Sequence, residues 1–134
     1  ASTKEGLLPI SQHALIALPN LAYHDYEGIA LDLDERERLV QDLGDKKALM
    51  LWNHGTLAVG ETAAQCWMMI FYLERACAIQ VMASAQGREH LRIAPADAIE
   101  TVREQQAIAS GVGAMLAWPG CLRKRDRESP GYDS

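Results

Sequence analysis

KKALMLWNHGTLAVGE, residues 46–61, decides how this chain folds. Its first half is apolar on both alternations: Ala48, Met50 and Trp52 on one side, Leu49 and Leu51 on the other. A strand that is apolar on both faces belongs inside a sheet covered by helices on each side. Asn53-His54-Gly55 supplies turn residues, and TLAVG reads as the return strand of a hairpin. The turn therefore puts a titratable imidazole between two strands whose pairing would fix its direction.

Downstream, Thr62 with Gln65 has capping-box spacing and opens a helix of about 25 residues that ends at Gly87. Pro95 suits the first turn of another helix, PADAIETVREQQAIAS. AMLAWPGCLRKRDRE is helix-prone but interrupted at Pro119-Gly120, and SPGYDS reads as a loop or tail. Upstream, Asp34 with Glu37 opens a helix that buries Leu39, Val40 and Leu43, and Gly44 ends it. Before it, LAYHDYEGIALDL alternates like a strand through Ile29, Leu31 and Leu33. The first segment, EGLLPISQHALIALPN, turns at Gly6 and forms a short helix capped by Ser11 and stopped by Pro19-Asn20.

A chain of 134 residues without repeats or linker-like tracts is expected to be one unit, 1–134. A net charge of −5 argues against a nucleic-acid partner. The basic run Arg123 to Glu128 is interleaved with acids and reads as a solvated helix face. No signal peptide is visible, and the longest strictly apolar run, Cys66 to Leu73, is too short to span a bilayer. Three cysteines is an odd number, and Cys66 and Cys77 on one helix would stand roughly 16 Å apart, so a reducing cytoplasm is expected. The chain opens Ala-Ser-Thr-Lys without an initiator methionine, as a processed or truncated piece would. The run from Cys66 to Leu73 is also apolar all the way round, the mark of a helix buried on every side. Two or three strands cannot surround such a helix. The expectation is that the chain is part of a larger fold, or that an oligomer partner supplies the missing walls.

Most catalytic signatures are absent: there is no Gly-x-Ser-x-Gly, phosphate-cradling loop, Cys-x-x-Cys or His-Glu-x-x-His. His54 is the best single candidate, as a metal ligand held in fixed orientation by a rigid turn. The competing reading is a solvent-exposed turn histidine, since Asn and Gly are ordinary turn formers. A catalytic zinc wants about three protein ligands, so His54 needs companions. Tyr23, His24, Asp25, Tyr26 and Glu27 could transfer protons or help bind metal, against the reading of a loop whose polar groups bond the local backbone. His13 lies in a helix, packed or facing a cleft, and His90 reads as a loop residue.

KEGLLPISQHAL, AYHDYEGIALD, LMLWNHGTLAVGET and YLERACAIQV, taken together, resemble the class II aldolase/adducin family. The resemblance covers about residues 3–86, and AWPGCLRKRDRESPGY resembles the C-terminus of its bacterial, adducin-like members. It implies a three-layer α/β/α sandwich around a mainly antiparallel sheet, here only its C-terminal part. It also implies a homotetramer with active sites between neighbours. Family enzymes cleave or epimerise small sugar phosphates or related hydroxy-carbonyl compounds with a divalent metal, generally zinc, acting as a Lewis acid. His54 would be the third histidine ligand.

The departures from the family pattern bear on activity. The family's other two metal histidines form a His-x-His pair just upstream of where this chain begins, and its acid/base residue and phosphate loop lie farther upstream. One ligand cannot hold a catalytic ion, so residues 1–134 alone are not expected to catalyse a reaction. In the sugar-phosphate enzymes a neighbour's tyrosine assists proton transfer near the position of Ser11-Gln12-His13, so alignment points to His13 while residue type does not. QHAL and YHDYEG resemble the adducin-like branch. Adducin uses the fold in a non-catalytic, actin-associated role, which makes a scaffold with a protein partner the alternative. A self-contained site built from His13, His24 and His54 is the third possibility.

Overall fold

The computed structural model describes residues 1–29, 31, 33–109 and 111–131. Among the described residues, β2 (Ala48–Leu51) is the middle strand of three. It pairs in parallel with β1 (Leu21–His24) on one side and antiparallel with β3 (Gly55–Ala58) on the other. Its central place explains why Ala48, Leu49 and Met50 are all buried. A parallel pair needs a crossover, and α2 (Glu35–Leu43) provides it, making β1–α2–β2 a βαβ unit.

The helices take both sides of this sheet. α1 (Gln12–Ala17) and α3 (Ala63–Ser84) cover one face, where Leu7, Ala14, Leu21, Met50, Leu73 and Ala76 share an apolar cluster. Strand residues alternate, so His24 and Leu49 point to the other face. α2 packs there, since its Glu35 and Asp42 reach the His24 ring. The chain is thus an α/β fold with its sheet between helices. α4 (Ala96–Ala109) packs on α1, and α5 (Val112–Glu128) packs on α3.

Two of the predicted N-caps form through side chains, at Ser11 and Thr62, whereas Asp34 makes no side-chain cap hydrogen bond at the start of α2. Ala14 N–H donates to Ser11 Oγ at 3.1 Å. Gln65 N–H donates to Thr62 Oγ1 at 3.3 Å, and the Gln65 side chain accepts from Glu61 N–H at 2.9 Å. Gly44 closes α2 with φ 52°, a conformation that suits glycine.

Four expectations need correction. Ile29, Leu31 and Leu33 form no strand; they are exposed, and the strand lies earlier, at Leu21–His24. Alternation without a neighbouring strand to pair with does not make a strand. In α2, Val40 is 71% exposed and Leu39 and Leu43 are only half-buried, because the helix turns Glu35 and Asp42 toward the sheet. α5 runs unbroken through Pro119, although an interior proline loses one helix hydrogen bond. Trp118 beside it packs on Trp67 of α3, with ring centroids 6.3 Å apart, and holds the helix to its neighbour. Finally, α3 is buried along one stripe, Leu73, Ala76 and Gln80, and Cys66 to Ile70 are only half-buried. That spacing is a single helix face, so the remaining apolar sides stay uncovered by these residues. By length and composition α3 is apolar enough to cross a membrane, a property the shorter Cys66–Leu73 run does not reveal. In the fold, its buried stripe docks on α1 and its flanks meet β3 and α5. The predicted tail, 129–134, is described only to residue 131, and Tyr132 to Ser134 lie outside the described residues, as does Ser110 at the end of the predicted 95–110 helix.

Candidate functional site

His24 pairs with Leu51, and Leu51 with Gly55, so three chain segments end in one row at the same edge of the sheet. The β2–β3 turn, Trp52 to His54, leaves from that row. Asn53 sits at φ 56°, the left-handed region that its short polar side chain tolerates better than most. His54 N–H donates to Leu51 O at 3.1 Å and Trp52 N–H to His24 O at 2.9 Å. The Trp52 ring stacks on Tyr23, centroids 5.1 Å apart. The backbone under His54 is therefore held on both sides, while its imidazole is exposed.

The start of the chain reaches the same turn. Asn53 N–H donates to Ala1 O at 3.0 Å. Residues 1–4, Asp25, Tyr26, Trp52 and Asn53 border a shallow hollow of about 560 Å³. The segment that follows is anchored twice: Gln80 of α3 accepts from Leu8 N–H at 2.7 Å and donates to Gly6 O at 2.8 Å, and Tyr23 Oη accepts from Leu7 N–H at 3.0 Å. Gly6 has φ 65°, and a side chain there would collide with the Tyr23 ring.

The other candidates are placed apart in role. His13 stands on α1, half-buried, with its ring 5.6 Å from that of Tyr72 on α3. His90 is exposed in a short 3-10 turn, Arg88–His90. The Tyr23–Glu27 cluster divides: Tyr23 and His24 belong to β1, while Asp25, Tyr26 and Glu27 lie in the loop after it. Among the described residues, no three histidine, cysteine or acidic side chains stand gathered as an ion would hold them. The self-contained site of His13, His24 and His54 therefore does not assemble.

Sequence reasoning missed the surroundings of His24. Its side chain is 4% exposed, with Nδ1 2.7 Å from Asp42 Oδ2. A carboxylate only accepts, so Nδ1 carries the hydrogen. Nε2 stands 3.6 Å from Glu35 Oε1 and 4.0 Å from Glu27 Oε1. Glu27 in turn accepts from Arg38 Nε at 2.8 Å. The available signal was helical: Glu35 and Asp42 are seven residues apart, two turns along one face of α2.

A larger cavity, about 670 Å³, opens at the far end of the hairpin between Lys47, Gly60, Tyr72 and Arg103. No histidine lines it, and it lies away from the His54 turn. Arg103 is tied to Glu100, and this hydrogen bond holds the Glu100 carboxyl below its ordinary range and raises the guanidinium. At Cys77, burial first and Glu74 second push the thiol up, which suits a packed residue rather than a nucleophile.

The class II aldolase enzymes generally use a divalent metal. Among the described residues this chain offers His54 alone at the turn, too few donors to fit such an ion.

Residues 1–81 match the family described as Class II Aldolase and Adducin N-terminal domain. A Caulobacter vibrioides protein named "Putative aldolase class 2 protein" is 66% identical over 129 residues, 96% of this chain and 50% of that protein. Mouse gamma-adducin is 38% identical over 120 residues, covering 87% of this chain and 17% of the adducin. The crystal structure of an aldolase II superfamily protein from Pseudomonas syringae superposes with a TM-score of 0.91 at 44% identity, over 99% of this chain and 53% of that one. The chain thus spans about half the length of the bacterial relatives it matches. With more than half of its residues inside the family match and a bacterial fold to align with, the chain belongs to the class II aldolase and adducin family.

Proposed function

We propose that residues 1–134 are the C-terminal portion of a single class II aldolase/adducin-type domain. The complete domain would be a metal-dependent lyase acting on a small sugar-phosphate or hydroxy-carbonyl compound. In this reading His54 gives one imidazole to a divalent ion, with zinc the first choice, and residues preceding Ala1 give the rest. The observation that carries it is the hydrogen bond from Asn53 N–H to Ala1 O, because in a longer domain residues preceding Ala1 would arrive beside the turn that bears His54. The half-length match to the bacterial relatives supports the same reading. So do the uncovered apolar sides of α3, which leave room for further protein, whether the rest of the domain or a neighbour in a homotetramer. Three free cysteines suit a cytoplasmic protein. His13 remains the proposed proton-transfer residue, on its aligned position.

The test is metal analysis of the full-length protein with and without His54→Ala, alongside a cleavage assay on a panel of sugar phosphates. The substitution is expected to lower bound metal and abolish cleavage, while His13→Ala lowers turnover and leaves the metal in place. Equal metal in wild type and His54→Ala removes His54 from the site. The second reading, a non-catalytic adducin-like scaffold with a protein partner, is favoured by the likeness to gamma-adducin over 87% of the chain. A full-length protein that binds no metal and cleaves nothing would choose it.

A further inference from the structure

We propose a second cation site at the edge of the sheet, formed by His24, Glu35 and Glu27, that takes a divalent first-row transition ion. The site does not depend on the aldolase reading and shares no ligand with it. Its central feature is a ring nitrogen with nothing to bond. Asp42 accepts the Nδ1 hydrogen at 2.7 Å, so a ring that carries one hydrogen has its lone pair on Nε2. That nitrogen is buried and has no hydrogen-bond partner. It faces two carboxylates, Glu35 Oε1 at 3.6 Å and Glu27 Oε1 at 4.0 Å. A lone pair facing two carboxylates, Glu35 buried and Glu27 partly exposed, is repelled unless positive charge stands between them.

Distance decides what that charge is. A proton on Nε2 would find both oxygens beyond the roughly 2.7–3.2 Å of an N–H···O bond. An ion bound to nitrogen and oxygen at about 2.0–2.2 Å keeps its ligand atoms roughly 3–4 Å from one another, which brackets both separations. Asp42 then has the role of the carboxylate behind a metal-bound histidine, setting tautomer and ring direction. One imidazole and two carboxylates, with water completing the shell, suit zinc, cobalt(II) or manganese(II). Glu35 is already in place on the first turn of α2, with its side chain 10% exposed. The three donors do not yet close on one point. Closure requires Glu27 to move: it sits in the loop, its side chain is partly exposed, and Arg38 Nε donates to both its oxygens, including the Oε1 that faces the ring, at 2.8 Å. A bound ion would join β1, that loop and α2.

The experiment titrates the metal-stripped 134-residue chain with Zn²⁺ alone by calorimetry and with Co²⁺ alone by visible absorption. One ion per chain is expected. Asp42→Asn should weaken binding about 10–100-fold through loss of the orienting carboxylate. Glu35→Gln, nearly the same shape, should weaken it at least as much, and His54→Ala should leave it unchanged. Circular dichroism of each variant establishes that it is folded. No binding by folded wild-type chain overturns the proposal, as does binding that survives Asp42→Asn and Glu35→Gln. Binding lost only in His54→Ala overturns it and assigns the ion to the turn. Ring ¹⁵N spectra add an independent outcome: a doubly protonated His24 that Zn²⁺ does not alter shows that a proton, not an ion, neutralises the pocket.

Discussion

His24 and His54 stand at the same end of the same sheet, one at the close of β1 and the other on the turn after β2. Their surroundings are opposite. His54 lies in solvent on a backbone held by hydrogen bonds, so its ring does little for the fold and is open to a ligand. His24 is buried among Asp42, Glu35 and Glu27, so its polar atoms must be compensated inside the protein. The contrast separates two uses of one side chain. An exposed histidine on a rigid turn can be given to chemistry at no cost in stability. A buried one is part of the fold, and any ligand it takes is coupled to folding.

The sharpest way to break this contrast is to remove each ring and measure urea unfolding of the metal-free chain. His24→Ala takes away the Asp42 hydrogen bond and leaves a cavity where the buried ring packed. Breaking a buried pair costs several kcal/mol, and the half-exposed Asp42 trims this to about 2–3 kcal/mol. A loss below about 1 kcal/mol would show that the pocket is not part of the core.

Next in size is Gln80→Ala, which tests whether the N-terminal segment is delivered to the His54 turn by its anchors. It leaves Leu8 N–H and Gly6 C=O without their partner, for an expected loss of about 2 kcal/mol. Amide exchange at Asn53 should quicken in the same variant, because its acceptor is Ala1 O. Unchanged exchange would mean that the turn holds residue 1 without help from α3. The smallest effect belongs to His54→Ala, expected to fall within about 0.5 kcal/mol of wild type. A large loss there would erase the distinction between the two histidines.

Much of the local structure is legible in the sequence for physical reasons that act over short distances. The hairpin follows from two apolar strands around Asn53-His54-Gly55, and Ser11, Thr62 and Gly44 mark helix ends by bonding their own neighbours. The family resemblance, carried by several motifs in order, points to the fold and to His54. What could not be read was partnership. Ile29, Leu31 and Leu33 alternate as a strand would, yet they find no strand to pair with among the described residues, while Leu21–His24, less regular in pattern, does. Pro119 reads as a break, but packing of Trp118 on Trp67 carries the helix through it.

By itself, then, the sequence determined the hairpin, the helix caps, the family and a histidine on a rigid turn, since each depends on residues close along the chain. Only the tertiary structure decided which stripe of α3 is buried, that Ala1 meets the His54 turn, and that His24 lies between the acids of α2 and the loop before it. Those facts depend on groups brought together from distant positions, where burial removes water and makes each unpaired atom costly.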